Sequence, residues 1–150
     1  MAQSFTVAAP LESVRRFALD LEAVARCTPG VESAEARGDR ICEIVASERV
    51  VTKSVQLRLR AEITDDDGTK LRGHVSGDSF DGESGLELDG HLEIAHESEA
   101  ITRLAFELEG VLRGKLAALG GGIAVRLKAR QMARGFAAEF TRRIESGGVS

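Results

Sequence analysis

The sequence has no tryptophan and no tyrosine, so phenylalanine, at six positions, is its sole aromatic. Its interior must therefore be mainly aliphatic, with Phe5, Phe17, Phe80, Phe106, Phe136 and Phe140 as the large pieces. Basic residues interleaved with aromatics, the pattern that stacks and holds single-stranded nucleic acid, are missing, and the net charge is −4. No nucleic-acid partner is expected. Cysteine is scarce too. Cys27 and Cys42 form no C-x-x-C pair and have no histidine near them, so neither a metal nor a redox motif is indicated. The opening MAQSFTVAAP lacks a basic segment followed by an apolar run, so no secretory signal is expected. The longest uncharged stretch of apolar residues and glycine, Leu116 to Val125, falls well short of the about 20 residues a membrane span needs. The expectation is a soluble, cytoplasmic protein with reduced thiols and no cofactor.

What is present is aliphatic. Of 150 residues, 43% are apolar, enough for one domain that buries roughly 70% of its extended surface. A single domain is expected over residues 1–145, with 146–150 as a flexible tail. Charge is divided unevenly: residues 61–110 carry 14 acidic and 3 basic side chains, residues 111–145 carry 2 acidic and 8 basic. Two accounts stay open. An acidic sheet attracts a basic helix within the fold, or the basic segment docks a partner or an anionic membrane.

The middle of the chain alternates with period two. Between Lys53 and Thr64, Val55, Leu57, Leu59, Ala61 and Ile63 share one face, while Gln56, Arg58, Arg60 and Glu62 share the other. After the turn Asp65-Asp66-Asp67-Gly68 the pattern repeats in Lys70 to Ser79, Ser84 to Ala95 and Thr102 to Gly110. Gln3 to Ala8, Glu32 to Arg37 and Arg40 to Val51 also read as strands. Two short helices follow the first of them. One begins at Pro10, with Val14, Phe17 and Leu21 inward and Arg15 and Arg16 outward; Asp20 caps the other. Thr28-Pro29-Gly30 then turns the chain. Sequential hairpins give an antiparallel meander with one dry face. Its cover is the one long helical run, expected from about Arg113 to Glu145. Val125, Ala129, Met132, Phe136 and Phe140 form that helix's later apolar stripe. Leu116, Leu119, Ile123 and Leu127 form an earlier stripe, roughly half a turn out of phase. Gly120-Gly121-Gly122 lies between the two. The helix is expected either to bend there or to present two apolar faces.

Two stretches carry a family resemblance. FTVAAPLESVRRFALDLEAVARCTPGVESA, Phe5 to Ala34, places Ala9-Pro10, Glu12, Val14, Asp20 and Cys27-Thr28-Pro29-Gly30 in the family's order. GVLRGKLAALGGGIAVRLKARQMARGFAAEF, Gly110 to Phe140, supplies the matching helical end, with its Met and late Phe residues. The chain resembles the helix-grip fold of the START and plant pollen-allergen superfamily (SRPBCC), and more narrowly the CoxG family of carbon monoxide dehydrogenase subunits. The resemblance implies an α+β helix-grip fold, β-α-α-β6-α, whose curved antiparallel sheet wraps a long C-terminal helix. It also implies a cavity between sheet and helix, an apolar ligand such as a lipid or prenylated quinone, and an oxidoreductase subunit as partner. There are departures. Ser47 to Leu59 reads SERVVTKSVQLRL where the family usually has a glycine-proline pair, and Arg15 replaces an aromatic of the first helix. Longer members add an apolar or amphipathic tail that this sequence does not show, so at most peripheral membrane contact is expected.

The inward positions indicate what such a cavity would hold. Val55, Leu57, Leu59, Val75, Leu88, Phe106 and Leu108 are the candidate lining from the sheet. Leu119, Ile123 and Leu127 are the candidates from the helix. Thr102 is the one polar side chain among the inward positions, so a buried polar ligand group would lack partners and a lipid-like ligand fits. Inward Gly73, Gly77 and Gly90 either enlarge the cavity or only let the sheet bend. Catalysis has thinner support, and no catalytic residue is assigned. His74 and His91 fall on the outward parity, where they are candidate cross-strand neighbours, and His96 lies in a turn. Glu48 alone among carboxylates has inward parity, and is expected at the sheet edge with a solvated head. A cyclase- or hydratase-like enzyme stays as an alternative. So does a docking or assembly module with a filled core: Arg126, Arg130 and Arg134, at steps of four, form a cationic strip beside the Leu119, Ile123 and Leu127 stripe. The competing account lays those arginine stems across the acidic sheet's edge.

Overall fold

The computed structural model describes residues 1–50, 53–120 and 123–147, without the side chains of 50, 53, 118–120 and 123–125. Its elements are β1 (Ala2–Val7), α1 (Leu11–Ala18), α2 (Leu21–Arg26), β2 (Val31–Ala36) and β3 (Ile41–Val50). Then come β4 (Lys53–Asp66), β5 (Lys70–Ser79), β6 (Ser84–Ser98), β7 (Ile101–Gly114), α3 (Lys115–Gly120) and α4 (Ile123–Glu145). All seven strands form one antiparallel sheet in the order β1-β7-β6-β5-β4-β3-β2. Consecutive strands from β2 to β7 pair as hairpins, and β1 closes the far edge beside β7. With α4 held against the concave side, this is the α+β helix-grip fold.

Local chemistry explains the N-terminal helices. Pro10, in extended backbone, accepts from the Val14 amide at 3.2 Å and so starts α1. Asp20 Oδ1 accepts from the Ala23 amide at 3.1 Å and caps α2. Arg15 departs from its expected outward course. It leaves α1 to grip the β4–β5 hairpin, 3.3 Å from Asp66 Oδ2, and donates to the Gly68 carbonyl. The carboxylate and the carbonyl converge there, so a charged fork takes the place of an aromatic and ties helix to hairpin.

Strand β7 also outruns its expected end at Gly110. It reaches Gly114, where φ is +66° and the Lys115 amide donates to the Glu83 carbonyl at 3.0 Å. A methyl group on Gly114 would lie 1.9 Å from that carbonyl oxygen. The chain can turn out of the sheet there only as glycine. Arg113 and Gly114 thus belong to the sheet, and the described parts of the expected helix are α3 and α4. The behaviour expected of the Gly120–Gly122 run falls on residues outside those described.

Five of the six phenylalanines form one connected cluster that fixes α4 to the sheet. Phe140 lies 4.9 Å from Phe17, 5.8 Å from Phe5 and 5.7 Å from Phe136 between ring centroids, and Phe106 joins through Phe5 and Phe136. Most of these contacts are edge-to-face, the arrangement that aromatic quadrupoles favour. Farther along α4, Gly135 rests on the Thr28-Pro29-Gly30 turn. A methyl there would meet Pro29 Cγ at 2.5 Å. Alanine in a helix interior usually gains about 1 kcal/mol over glycine. Here a stiff ring cannot yield, so Gly135→Ala is expected to destabilise by about 1–3 kcal/mol. A lowered urea midpoint with unchanged slope reads that loss; a raised midpoint would separate α4 from the turn.

Candidate ligand site

The concave face packs into buried groups at its ends. At one end Leu71, Ile94 and Leu104 are buried with Val14, Phe17 and Phe140. At the other, Leu57 and Leu116 are buried together, with Val55, Leu59, Leu86 and Leu112 packed against them. A third group, Ala25, Ala34, Cys42, Ile44 and Ala46, lies under α2. Between them Val75, Leu88 and Leu108 are apolar, inward and only half-buried, and belong to none of the three groups. They are near neighbours: Val75 stands opposite Leu88, and Gly90, two residues on, stands opposite Leu108. These three side chains are the candidate floor of a trough.

The inward glycines shape that floor without deepening it. A methyl on Gly90 would lie 2.4 Å from Leu108 Cδ2, and one on Gly110 would lie 2.2 Å from Leu88 Cδ2. The leucines lie down across the glycines, and their side chains run along the sheet instead of standing up from it. At Gly77 a methyl would come 2.1 Å from the Arg58 carbonyl oxygen, so close backbone approach is what glycine permits there. Of the two readings, curvature with neighbouring leucines filling the gap is the one the contacts support.

Polar groups near the trough are mostly spent. Thr102, fully buried, donates to the Ala9 carbonyl at 2.8 Å. Ser79 Oγ accepts from the Ser84 amide at 2.9 Å, and Ser84 Oγ accepts from the Leu116 amide at 3.2 Å, anchoring the start of α3. Glu48 corrects an expectation. Its side chain is 14% exposed and its Oε2 lies 2.8 Å from Lys128 Nζ, so a helix covers a carboxylate that inward parity alone had placed at a wet edge. Two open clefts lie elsewhere. One of about 230 Å³ runs between Val55, Phe80, Lys115 and Leu116. The other, about 440 Å³, is lined by Arg58, Arg60, Ser76 and Phe80, where the Arg58 guanidinium stacks 4.7 Å from the Phe80 ring.

The candidate lining residues separate by position. Leu57 and Phe106 are buried; Val55 and Leu59 are half-buried at the α3 end; Val75, Leu88 and Leu108 form the floor. Leu119 and Ile123 lie outside the described side chains. Leu127 is a correction: it is 50% exposed. At about 100° per residue it falls in line with Arg134 and Ala138, away from the buried Ala133, Ala137 and Phe140. Leu127 stands half a turn from Phe136 on the same helix, and the Phe136 side is the one that packs on the sheet. Arg130 and Arg134 are exposed toward this same outer side; Arg126 is exposed too, although by the same count it falls in line with Ala133 and Ala137, and none of the three has an ion pair to a described acidic residue.

His74 and His91 are diagonal, not opposite, because His74 faces Asp89 and His91 faces Arg72. His74 Nδ1 lies 2.8 Å from Asp89 Oδ1, a hydrogen bond that raises the imidazole above its ordinary pKa. Among the described residues no group of three or more His, Cys, Asp or Glu could hold a metal ion. Both cysteines are free and buried, and burial pushes the Cys27 thiol up to about 11. No described helix is long and apolar enough to cross a membrane.

Comparison with known proteins places this geometry. The sequence model of the CoxG family, described as a subunit of carbon monoxide dehydrogenase, matches residues 4–145. Among solved structures, a conserved protein from Geobacillus kaustophilus superimposes with a TM-score of 0.84 at 18% identity, over 97% of this chain and 94% of that one. A START superfamily protein from Mycobacterium smegmatis gives 0.68 at 13% identity, over 97% of each chain. An aromatase/cyclase from a Streptomyces species gives 0.64 at 16% identity, over 100% of this chain and 98% of that one. At these identities the likeness to solved structures is one of fold. No curated protein matches the sequence.

Proposed function

Because the chain belongs to the CoxG family of carbon monoxide dehydrogenase subunits, we propose that it binds an apolar small molecule, lipid- or quinone-like, between the sheet and α4. It holds or delivers that molecule for a partner oxidoreductase of the carbon monoxide dehydrogenase type. The observation that carries this reading is that Val75, Leu88 and Leu108, apolar and inward, are half-buried and join none of the three packed groups. Apolar area left in contact with water forgoes about 25 cal/mol per Å², which an apolar ligand recovers on binding. A cytoplasmic setting is part of the reading, since both thiols are free. Extraction of the purified protein with organic solvent, followed by mass spectrometry, is expected to release a lipid or quinone. Added decyl-benzoquinone or fatty acid is expected to raise the melting temperature; with neither result, the carrier reading falls.

The outer side of α4 favours a second reading, as a docking module or as the surface by which a carrier meets its partner. Arg126, Arg130 and Arg134 stand in a row beside the half-exposed Leu127. A basic row next to an apolar side chain suits an acidic partner surface or, at most, peripheral contact with an anionic membrane. Converting all three arginines to glutamate is expected to abolish capture of the partner; unchanged capture would remove this reading.

A further inference from the structure

The concave side carries an ion pair between β3 and α4, Glu48 with Lys128, to which the trough reading gives no role. Glu48 continues the inward row of Cys42, Ile44 and Ala46 on β3 and stands opposite Val55, at the trough's α3 end. Its Oε1 is crowded against Gly30: a methyl there would lie 2.1 Å away. Its Oε2 takes Lys128 at 2.8 Å. Burying such a pair seldom stabilises a fold more than apolar residues of the same volume would. The ammonium keeps donors to spare, because it has three, Glu48 takes one, and 32% of the side chain remains exposed.

We infer that Lys128 is the polar anchor of the ligand site, and that Glu48 tunes it toward a neutral hydrogen-bond acceptor. The ligand class is then an apolar molecule whose head bears a carbonyl oxygen, as in a quinone, ketone or ester, and not a carboxylate or phosphate. Glu48 already balances the charge of Lys128, and a second anion brought beside its carboxylate would be repelled. A neutral carbonyl accepts a hydrogen bond from the spare ammonium N–H without that repulsion, while its chain runs past Val55 and Leu59 toward the floor. This inference rests on the trough reading and adds a residue and a charge rule to it.

The test titrates the protein with three probes that share a ten-carbon chain: decyl-benzoquinone, decylbenzene and decanoate. Wild type is expected to bind the quinone roughly tenfold more tightly than decylbenzene, the effect of one charge-assisted hydrogen bond, and decanoate more weakly than the quinone. Lys128→Met is expected to erase the preference for quinone while leaving decylbenzene affinity unchanged, and Lys128→Arg to keep it. Glu48→Gln is expected to reverse the order of quinone and decanoate, by freeing the ammonium for an anion. A quinone preference that survives in Lys128→Met, or tighter decanoate binding by wild type, overturns the anchor and leaves the trough intact. Failure of all three probes, with each variant folded by circular dichroism, overturns the trough and the anchor together.

Discussion

Phe140→Ala is expected to lower the free energy of unfolding by about 3–5 kcal/mol, the usual loss for a buried aromatic. Phe140 is fully buried, and its ring meets those of Phe5, Phe17 and Phe136. Truncation therefore removes the hub through which β1, α1 and α4 touch. Against a total stability of roughly 5–15 kcal/mol, such a loss consumes a large fraction. For a chain of this size, at about 2–4 °C per kcal/mol, the melting temperature should fall by about 6–20 °C. Phe80→Ala is the control. Phe80 is 50% exposed and stacks with Arg58 on the convex face, so its loss should stay near about 0.5 kcal/mol. Equal shifts for the two variants would mean that α4 is not seated on the aromatic cluster.

Leu88→Trp is expected to act in the opposite way, sparing stability and removing ligand binding. Leu88 occupies the centre of the half-buried floor, opposite Val75 on β5 and Gly110 on β7. Leu88 is only half-buried, so the overpacking penalty should stay at the lower end of about 1–3 kcal/mol. It would displace about three methylenes of bound ligand. At about 0.8 kcal/mol each, that amounts to about 2.4 kcal/mol, or roughly 60-fold in Kd. Calorimetric titration of both proteins with decyl-benzoquinone measures the difference. Undiminished affinity would place the ligand somewhere other than the trough.

Much of this architecture is legible in the residues, and the misses share a physical cause. Period-two alternation locates β4, β5 and β6 because each keeps one dry face over ten or more residues. Asp20 is readable as a cap because capping is local. Arg15, Glu48 and Leu127 are misplaced by the pattern because their partners or phase are set at long range. Arg15 answers to a turn at Asp66 and Gly68, and Glu48 to a lysine eighty positions later. A carboxylate of inward parity reads as a surface residue until a cation from another element is known to cover it. Leu127 fails for another reason: an apolar side chain reads as inward, whereas the sheet takes the opposite side of α4, through Phe136 and Phe140. The end of β7 is missed because Gly110 looks like a stop, whereas Leu112 goes on alternating and the turn waits for Gly114.

The aromatic cluster has a consequence for the order of events during synthesis. Its rings come from positions 5, 17, 106, 136 and 140, so the first of them leaves the ribosome long before the last. The meander can pair as it emerges, with α1 and α2 available from the start, but α4 arrives last, and until then the part of the concave face that α4 covers is bare. Contacts this distant in sequence make closure slow compared with hairpin formation. A nascent chain therefore displays that part of its apolar face to lipids and chaperones for an interval set by translation speed. Sites of slow codons between Gly114 and Phe140 would lengthen the interval in which a first ligand can be taken up without any opening of the finished protein.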